Sequence, residues 1–293
     1  MKSLVALIHR EYLEHRGAFL LAPALILALL AAVLASGLGF GRFQLAQKFM
    51  LFPVVKVFEF GFLAVAGLWF AYLMAALFFY YADAFSADRR NNAMLFWKSM
   101  PVSDFQILSS KMLAGLTLFP VLIFVAIIVS GALILAATLL TALFLHQAVP
   151  SPLGFLSSAA QVTAVAAVYV GLGLLWYAPF FAWVGLLSTL FRRWSIPLAF
   201  LIPALVGLAE NLLFSGAGPD GGYVASYLRN RFSFGDKDSD VAMTIFTDAQ
   251  INAADLITRF LGYIDWPQLA GGLIVAALLV WLASEYRRRT VVN

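Results

Sequence analysis

Six long apolar stretches, each closed off by polar or charged residues, set the pattern of this chain. A hydrocarbon layer about 30 Å thick is crossed by about 20 helical residues. On that ruler the pattern predicts helical spans at 18–36, 61–82, 112–141, 159–191, 194–214 and 267–284. The third and fourth are overlong, so tilt or extension beyond the bilayer is expected, but their apolar runs are too short to split in two. Pro120 and Pro179 predict a bend in each of them. Ahead of the first span, residues 1–17 read as an amphipathic helix. Leu4, Val5, Ile8 and Tyr12 fall on one face, with Ser3, Arg10 and Glu14 roughly opposite. Arg10–Glu14 and Glu11–His15 have the spacing of stabilising pairs, and such a helix is expected to lie in the membrane interface. The apolar run Ala18–Ser36 exceeds the core of a signal peptide, although Val33-Leu34-Ala35 gives a faint cleavage pattern.

Composition removes the soluble alternatives. Of 293 residues 63% are hydrophobic and 12% charged, with mean hydropathy +0.91; the charged share is about half that of a soluble domain. No polar block is long enough for a separate catalytic domain, so residues 1–293 read as one transmembrane domain of the all-α class. Cysteine is absent, which excludes disulfides and thiolate metal sites. His9, His15 and His146 are too scattered for a histidine-based metal site, so none is expected.

The net charge of +4 is unevenly placed and reports topology rather than nucleic-acid binding. With both termini on the cytoplasmic side, twelve of the 19 Lys and Arg residues fall inside and seven outside. Arg192-Arg193 in a tight turn and Arg287–Arg289 after the last span are the strongest indicators of that orientation. The outer segment 215–266 carries seven aspartates against four basic residues. Glycines at 216, 218, 221 and 222 mark a loop, and Tyr223–Arg229 and Ala249–Tyr263 predict short helices. Asp236, Asp238 and Asp240 imitate the opening of a calcium loop, but Val241 and Thr247 stand where glycine and glutamate are needed. An acidic, solvated loop is the better reading.

The longest polar interruption in the first two-thirds of the chain is DAFSADRRNNAMLFWKSMPVSDFQILSSK, from Asp83 to Lys111. It combines Arg89, Arg90, Lys98 and Lys111 with the apolar cluster Met94-Leu95-Phe96-Trp97. There is room for a short helix, then Pro101, then a fresh helix start at Ser103, where Gln106 completes a capping box. The run Asp88-Arg89-Arg90, then Leu95 to Asp104, then Ser110-Lys111 resembles the cytoplasmic coupling segment of ABC-2 type transporter permeases. That resemblance implies six spans, an N-terminal elbow helix at 1–17 and a coupling helix within 84–104, between spans two and three. It also implies a homodimer joined by two copies of a separate cytoplasmic P-loop ATPase, which would hold the ATP and magnesium. On this resemblance the ATPase contact falls to Asp88, Arg89, Arg90, Asn91, Asn92, Phe96, Trp97 and Lys98. The setting would be a bacterial cytoplasmic (inner) membrane with both termini cytoplasmic and lipids around the spans.

The remaining chemistry is sparse. The chain has no G-x-x-x-x-G-K-[ST] phosphate loop, so it is expected to be a transport subunit and not itself an enzyme. H-E-x-x-H, G-x-S-x-G and paired intramembrane aspartates are absent too. Glu210, with Asn211 beside it, is the ionisable residue placed inside a predicted span. It reads equally as part of a transport path or as an interfacial residue without a role. Aromatic residues crowd the second and fourth spans, where packing and lipid contact are the plainer reading than a path. Gly171, Gly173, Gly271 and Gly272 have the size for close helix approach. The rival readings are an intramembrane lipid-modifying enzyme and an ATP-independent secondary transporter or channel.

Overall fold

The computed structural model describes residues 2–39, 52–90, 103–148, 151–213, 222–232, 234, 245 and 250–290, and among these no strand occurs. The chain opens with α1 (Lys2–Arg16), which runs through a π turn (Gly17–Leu21) into α2 (Ala22–Gly39). Then come α3 (Val54–Arg90), α4 (Asp104–Leu113), a second π turn (Ala114–Leu118) and α5 (Phe119–Phe144). They are followed by α6 (Pro152–Phe191), a 3₁₀ turn (Arg192–Trp194), α7 (Ser195–Leu213), α8 (Gly222–Phe232), α9 (Ala253–Tyr263) and α10 (Trp266–Thr290). Six stretches are long and apolar enough to cross a membrane: Leu4–Gly37, Val54–Ala87, Asp104–Phe144, Pro152–Phe191, Ser195–Leu213 and Trp266–Arg289. The six expected spans are therefore present in an integral membrane protein.

Several helices outrun the predicted spans, and the reason is geometric. Hydropathy reads only the part of a helix that lies in hydrocarbon. The 37 residues of α3, at 1.5 Å each, give a helix roughly 55 Å long, well beyond a core of about 30 Å. The second predicted span, 61–82, is the apolar middle of it. The two helices expected in the outer segment form as α8 and α9, with ends shifted by a few residues from those predicted.

Both π turns have the same cause. Pro120 has no N–H to offer the carbonyl of Leu116, and Pro23 has none for Phe19. Just ahead of each proline the ladder slips to a wider ring, so that Phe119 N–H reaches Ala114 O and Ala22 N–H reaches Gly17 O. One of these turns precedes Pro120, where the sequence predicts a bend, and the other precedes Pro23, where it predicts none. The first π turn of the chain lies against the start of α5, with the Phe19 and Phe119 rings stacked at 3.8 Å.

At the centre stands α6, packed against α3, α7, α9 and α10, while α3 also packs against α5, and α5 against α2. One face of α3 supplies Phe58, Phe62, Ala66, Trp69, Leu73, Leu77 and Tyr81 to the core. That recurrence every three or four residues is the buried stripe of a helix. Trp69 Nε1 donates to Ser130 Oγ at 2.9 Å, satisfying both polar groups inside the stack. By contrast α2 and α7 are peripheral, with only 11% of their most apolar windows buried. Leu25, Leu29 and Val33 on α2 and Leu205, Leu208 and Leu212 on α7 face outward, as suits lipid-facing helices, since lipid tails are as apolar as leucine.

Candidate functional site

Both chain-terminal helices meet the helix that follows the segment 91–102, and the meeting place is polar. Ser103 is the N-cap of α4, in extended conformation, and its Oγ accepts from Gln106 N–H at 3.2 Å. Gln106 Oε1 accepts in return from Ser103 N–H at 3.1 Å. The capping box expected from the sequence is thus formed, and it fixes where the chain re-enters helix. Asp104, in the first turn, complements the helix dipole and forms an ion pair with Arg287 of α10, its Oδ1 lying 2.8 Å from Arg287 Nε. Two turns on, the Lys111 ammonium meets the Glu11 carboxylate of α1 at 3.1 Å. Seven residues is close to two full turns, so Asp104 and Lys111 share one side of α4. From that side α4 grips α10 with one residue and α1 with the other.

These are buried ions. Glu11 is 2% exposed, Lys111 1% and Arg287 1%. Burial makes such pairs high-stakes, because removing either partner leaves a charge out of water. Additional hydrogen bonds hold the Glu11 pair. Tyr80 Oη of α3 donates toward Glu11 Oε2 at 2.9 Å and also lies 3.1 Å from Lys111 O. Tyr81 Oη donates to Met112 O at 2.8 Å. Those two carbonyls lie at the entry to the second π turn, where the helical ladder changes pairing, and tyrosine hydroxyls fill in. His15 Nδ1 sits 3.2 Å from Glu11 O and its ring packs edge-on against Tyr80 at 4.7 Å.

Gly115 makes room for this arrangement, since a methyl group there would run into the Tyr81 hydroxyl. Gly115→Ala is therefore expected to lower stability by about 1–3 kcal/mol through overpacking. Gly67→Ala has open space around it and is expected to be neutral or to stabilise by up to about 1 kcal/mol through helix propensity. Thermal unfolding of the two variants in detergent checks the contrast.

Glu11 is the most buried of the described side chains of α1, because the helix packs against α4 through the ion pair, while Val5 of the predicted apolar face is 66% exposed. Arg10–Glu14 does pair, at 2.6 Å. Glu11, Glu14 and His15 together have ligand atoms within 4.8 Å of one another, but Glu11 is bound to Lys111 and Glu14 to Arg10, so the group is an ion-pair set.

Of the residues given to the ATPase contact, Asp88, Arg89 and Arg90 form the end of α3. Asn91, Asn92, Phe96, Trp97 and Lys98 lie outside the described residues. Glu210 of α7 has a definite partner. Its carboxylate accepts from Tyr223 N–H at 2.7 Å and Val224 N–H at 2.8 Å. It thereby caps the first turn of α8, where a negative charge is favoured. Asn211 Nδ2 donates back to Gly207 O at 2.9 Å.

Three further buried charges, Lys56, Glu59 and Arg231, are not signalled by the sequence. At the end of α3 away from the chain termini, Glu59 is 0% exposed and pairs with Lys56 at 3.0 Å. Ser158 Oγ of α6 donates to Glu59 Oε1, Ile251 N–H donates to the same oxygen at 3.1 Å, and Lys56 Nζ donates to Ile245 O at 3.1 Å. The pair ties residues of the long segment before α9 to α3. Arg231 of α8 is 0% exposed. It donates to Trp176 O at 2.9 Å, to Gln268 O and to Tyr227 Oη, and its guanidinium stacks 4.5 Å from the Trp176 ring. Gly272 leaves the space for it, as Gly173 does for Phe70, whereas Gly171 and Gly271 have nothing near. The aromatic residues of α6 pack among themselves, Tyr169, Trp176 and Tyr177 surrounding Phe234 at 5.1–5.9 Å.

Comparison of the chain with protein-family models, with curated proteins and with solved structures finds no match.

Proposed function

We propose that this chain is the membrane permease subunit of an ABC-2 type exporter, driven by a separate cytoplasmic ATPase that binds ATP and magnesium. Both termini and the segment 91–102 would then face the cytoplasm, and two copies of the chain would form the transporter. The observation that carries the reading is the double grip of α4. A helix that begins at the segment resembling a coupling helix is bonded to α10 through Asp104–Arg287 and to α1 through Lys111–Glu11. Push on the segment, and both terminal helices receive the displacement through these ion pairs, while α3 receives it through Tyr80 and Tyr81. Packed elements with two discrete arrangements are how such a push reaches the membrane. An ATP-independent transporter would call for a series of charges along a path, whereas the buried carboxylates Glu11 and Glu59 are each paired with a lysine near opposite ends of α3, and Arg231 is held by the carbonyls of Trp176 and Gln268.

Trp97 is the residue assigned to the ATPase groove, with Phe96 beside it and the basic residues Arg89, Arg90 and Lys98 toward an acidic rim. Trp97→Ala is expected to weaken ATPase binding by about 2 kcal/mol, roughly thirtyfold, with membrane insertion unchanged. Co-purification of a P-loop ATPase with the two variants Trp97→Ala and Trp281→Ala checks it, Trp281 being an exposed residue of α10. Equal retention of the ATPase by both variants, or robust ATP hydrolysis by this chain alone, overturns the assignment.

A further inference from the structure

Where α1 passes into α2, the chain stands slightly off α3 and leaves a groove of about 410 Å³. Its floor is small, made of Ala18, Ala75 and Ala76, and its walls are Tyr72 and Phe79. Gly17, next to Ala18, has nothing within 4 Å of where a side chain would begin. At one end the lining turns polar, with His15 and Asp83. The groove is preformed, because Tyr72 Oη of α3 donates to Ala18 O and ties α3 to the first π turn, while Phe19 stacks on Phe119 behind it.

Length and polarity identify the occupant. From Tyr72 to Asp83 is three turns of α3, about 16 Å. One leaflet of a bilayer contributes about 15 Å of hydrocarbon. The polar end lies toward the side of the bundle that holds both chain termini, since the neighbouring Tyr80 bonds the Glu11–Lys111 pair there. The apolar end lies toward the middle of α3. An amphiphile standing in that leaflet has the same order of parts, headgroup first and chain inward. Water would meet only apolar walls over most of the length, and leaving such a slot empty forfeits the contacts of its lining.

We propose that this groove is a binding site for a phospholipid of the leaflet beside the chain termini. One acyl chain lies along Ala75, Ala76 and Phe79, and the headgroup rests beside His15 and Asp83. The inference stands apart from the permease reading and requires no ATPase. The test uses the full chain in phosphatidylethanolamine vesicles containing a trace of the same lipid with a diazirine in its acyl chain. After irradiation, adducts are mapped by mass spectrometry. Ala75, Ala76, Phe79 and Ala18, which line the groove, are expected to be labelled several-fold more than the exposed Leu205, Val206 and Leu208 of α7. Ala76→Trp, which fills the floor, is expected to remove most of the labelling at Ala18 and leave that of α7 unchanged. Ala75→Phe serves the same purpose should the tryptophan variant not fold. Groove labelling no greater than that of α7, or labelling indifferent to the filling variants, would each overturn the proposal.

Discussion

Lys111→Met is expected to destabilise the protein by about 3–5 kcal/mol, the loss measured when one partner of a buried ion pair is removed. At about 1.4 kcal/mol per factor of ten, that is more than a hundredfold in the folded-to-unfolded ratio. The side chain is of similar length, so packing changes little; what remains is the Glu11 carboxylate, 2% exposed, without its cation. Tyr80 keeps donating to it, but one neutral hydroxyl does not offset a buried charge. The control is the double variant Glu11→Leu/Lys111→Met. Removing both charges and leaving two apolar side chains is expected to recover most of the loss, and it can exceed the parent stability. Denaturation of all three proteins in the same detergent provides the measurement. A Lys111→Met protein as stable as the parent would show that the pair is not a structural bond at all.

Glu59→Ala is expected to be equally severe, again about 3–5 kcal/mol, at the opposite end of α3. Here the carboxylate is a hub, because Lys56, Ser158 and the amide of Ile251 all converge on it. Without it Lys56 keeps the carbonyl of Ile245 and the face of the Phe60 ring but no anion among these contacts, and the buried Ile251 N–H loses its acceptor. Such an unsatisfied donor alone costs about 1–3 kcal/mol. Glu59→Gln keeps an acceptor oxygen and is expected to lose less. Hydrogen exchange shows where the loss falls: at Ile251 the amide should exchange much faster in Glu59→Ala, by a larger factor than the amides of the buried stripe of α3. Unaltered protection at Ile251 would mean that the hub does not hold this segment.

What could be read from the sequence was what is local. The six spans announce themselves by uninterrupted apolar runs, Ser103 with Gln106 announces a helix start, and Arg10 with Glu14 announces a pair one turn apart. Each needs only neighbours in the chain. The polar clamp does not have that property. Nothing near Lys111 in the sequence points to Glu11, nor anything near Asp104 to Arg287, since those partners meet only after four helices have packed. Arg287 was read with Arg288 and Arg289 as one basic run. In the fold Arg287 is buried, whereas its two neighbours are exposed and share Glu285 at 2.9 and 2.8 Å, contacts worth little to stability. Glu59 was missed for a simpler reason. It falls just outside the apolar stretch 61–82, and a ruler based on hydropathy ends a span at its first charges even when the helix goes on.

That unbroken helix has a mechanical meaning. No proline interrupts α3 between Val54 and Arg90, so it twists and slides as a single shaft. Glu59 and Tyr81 are separated by about six turns, or roughly 33 Å. They point in nearly the same direction around the axis, each committed to a bond with a different part of the protein. Rotating the shaft enough to misalign one bond misaligns the other in the same motion. Its two ends, one on either side of the hydrocarbon, therefore cannot be unlatched in sequence: they release together or not at all.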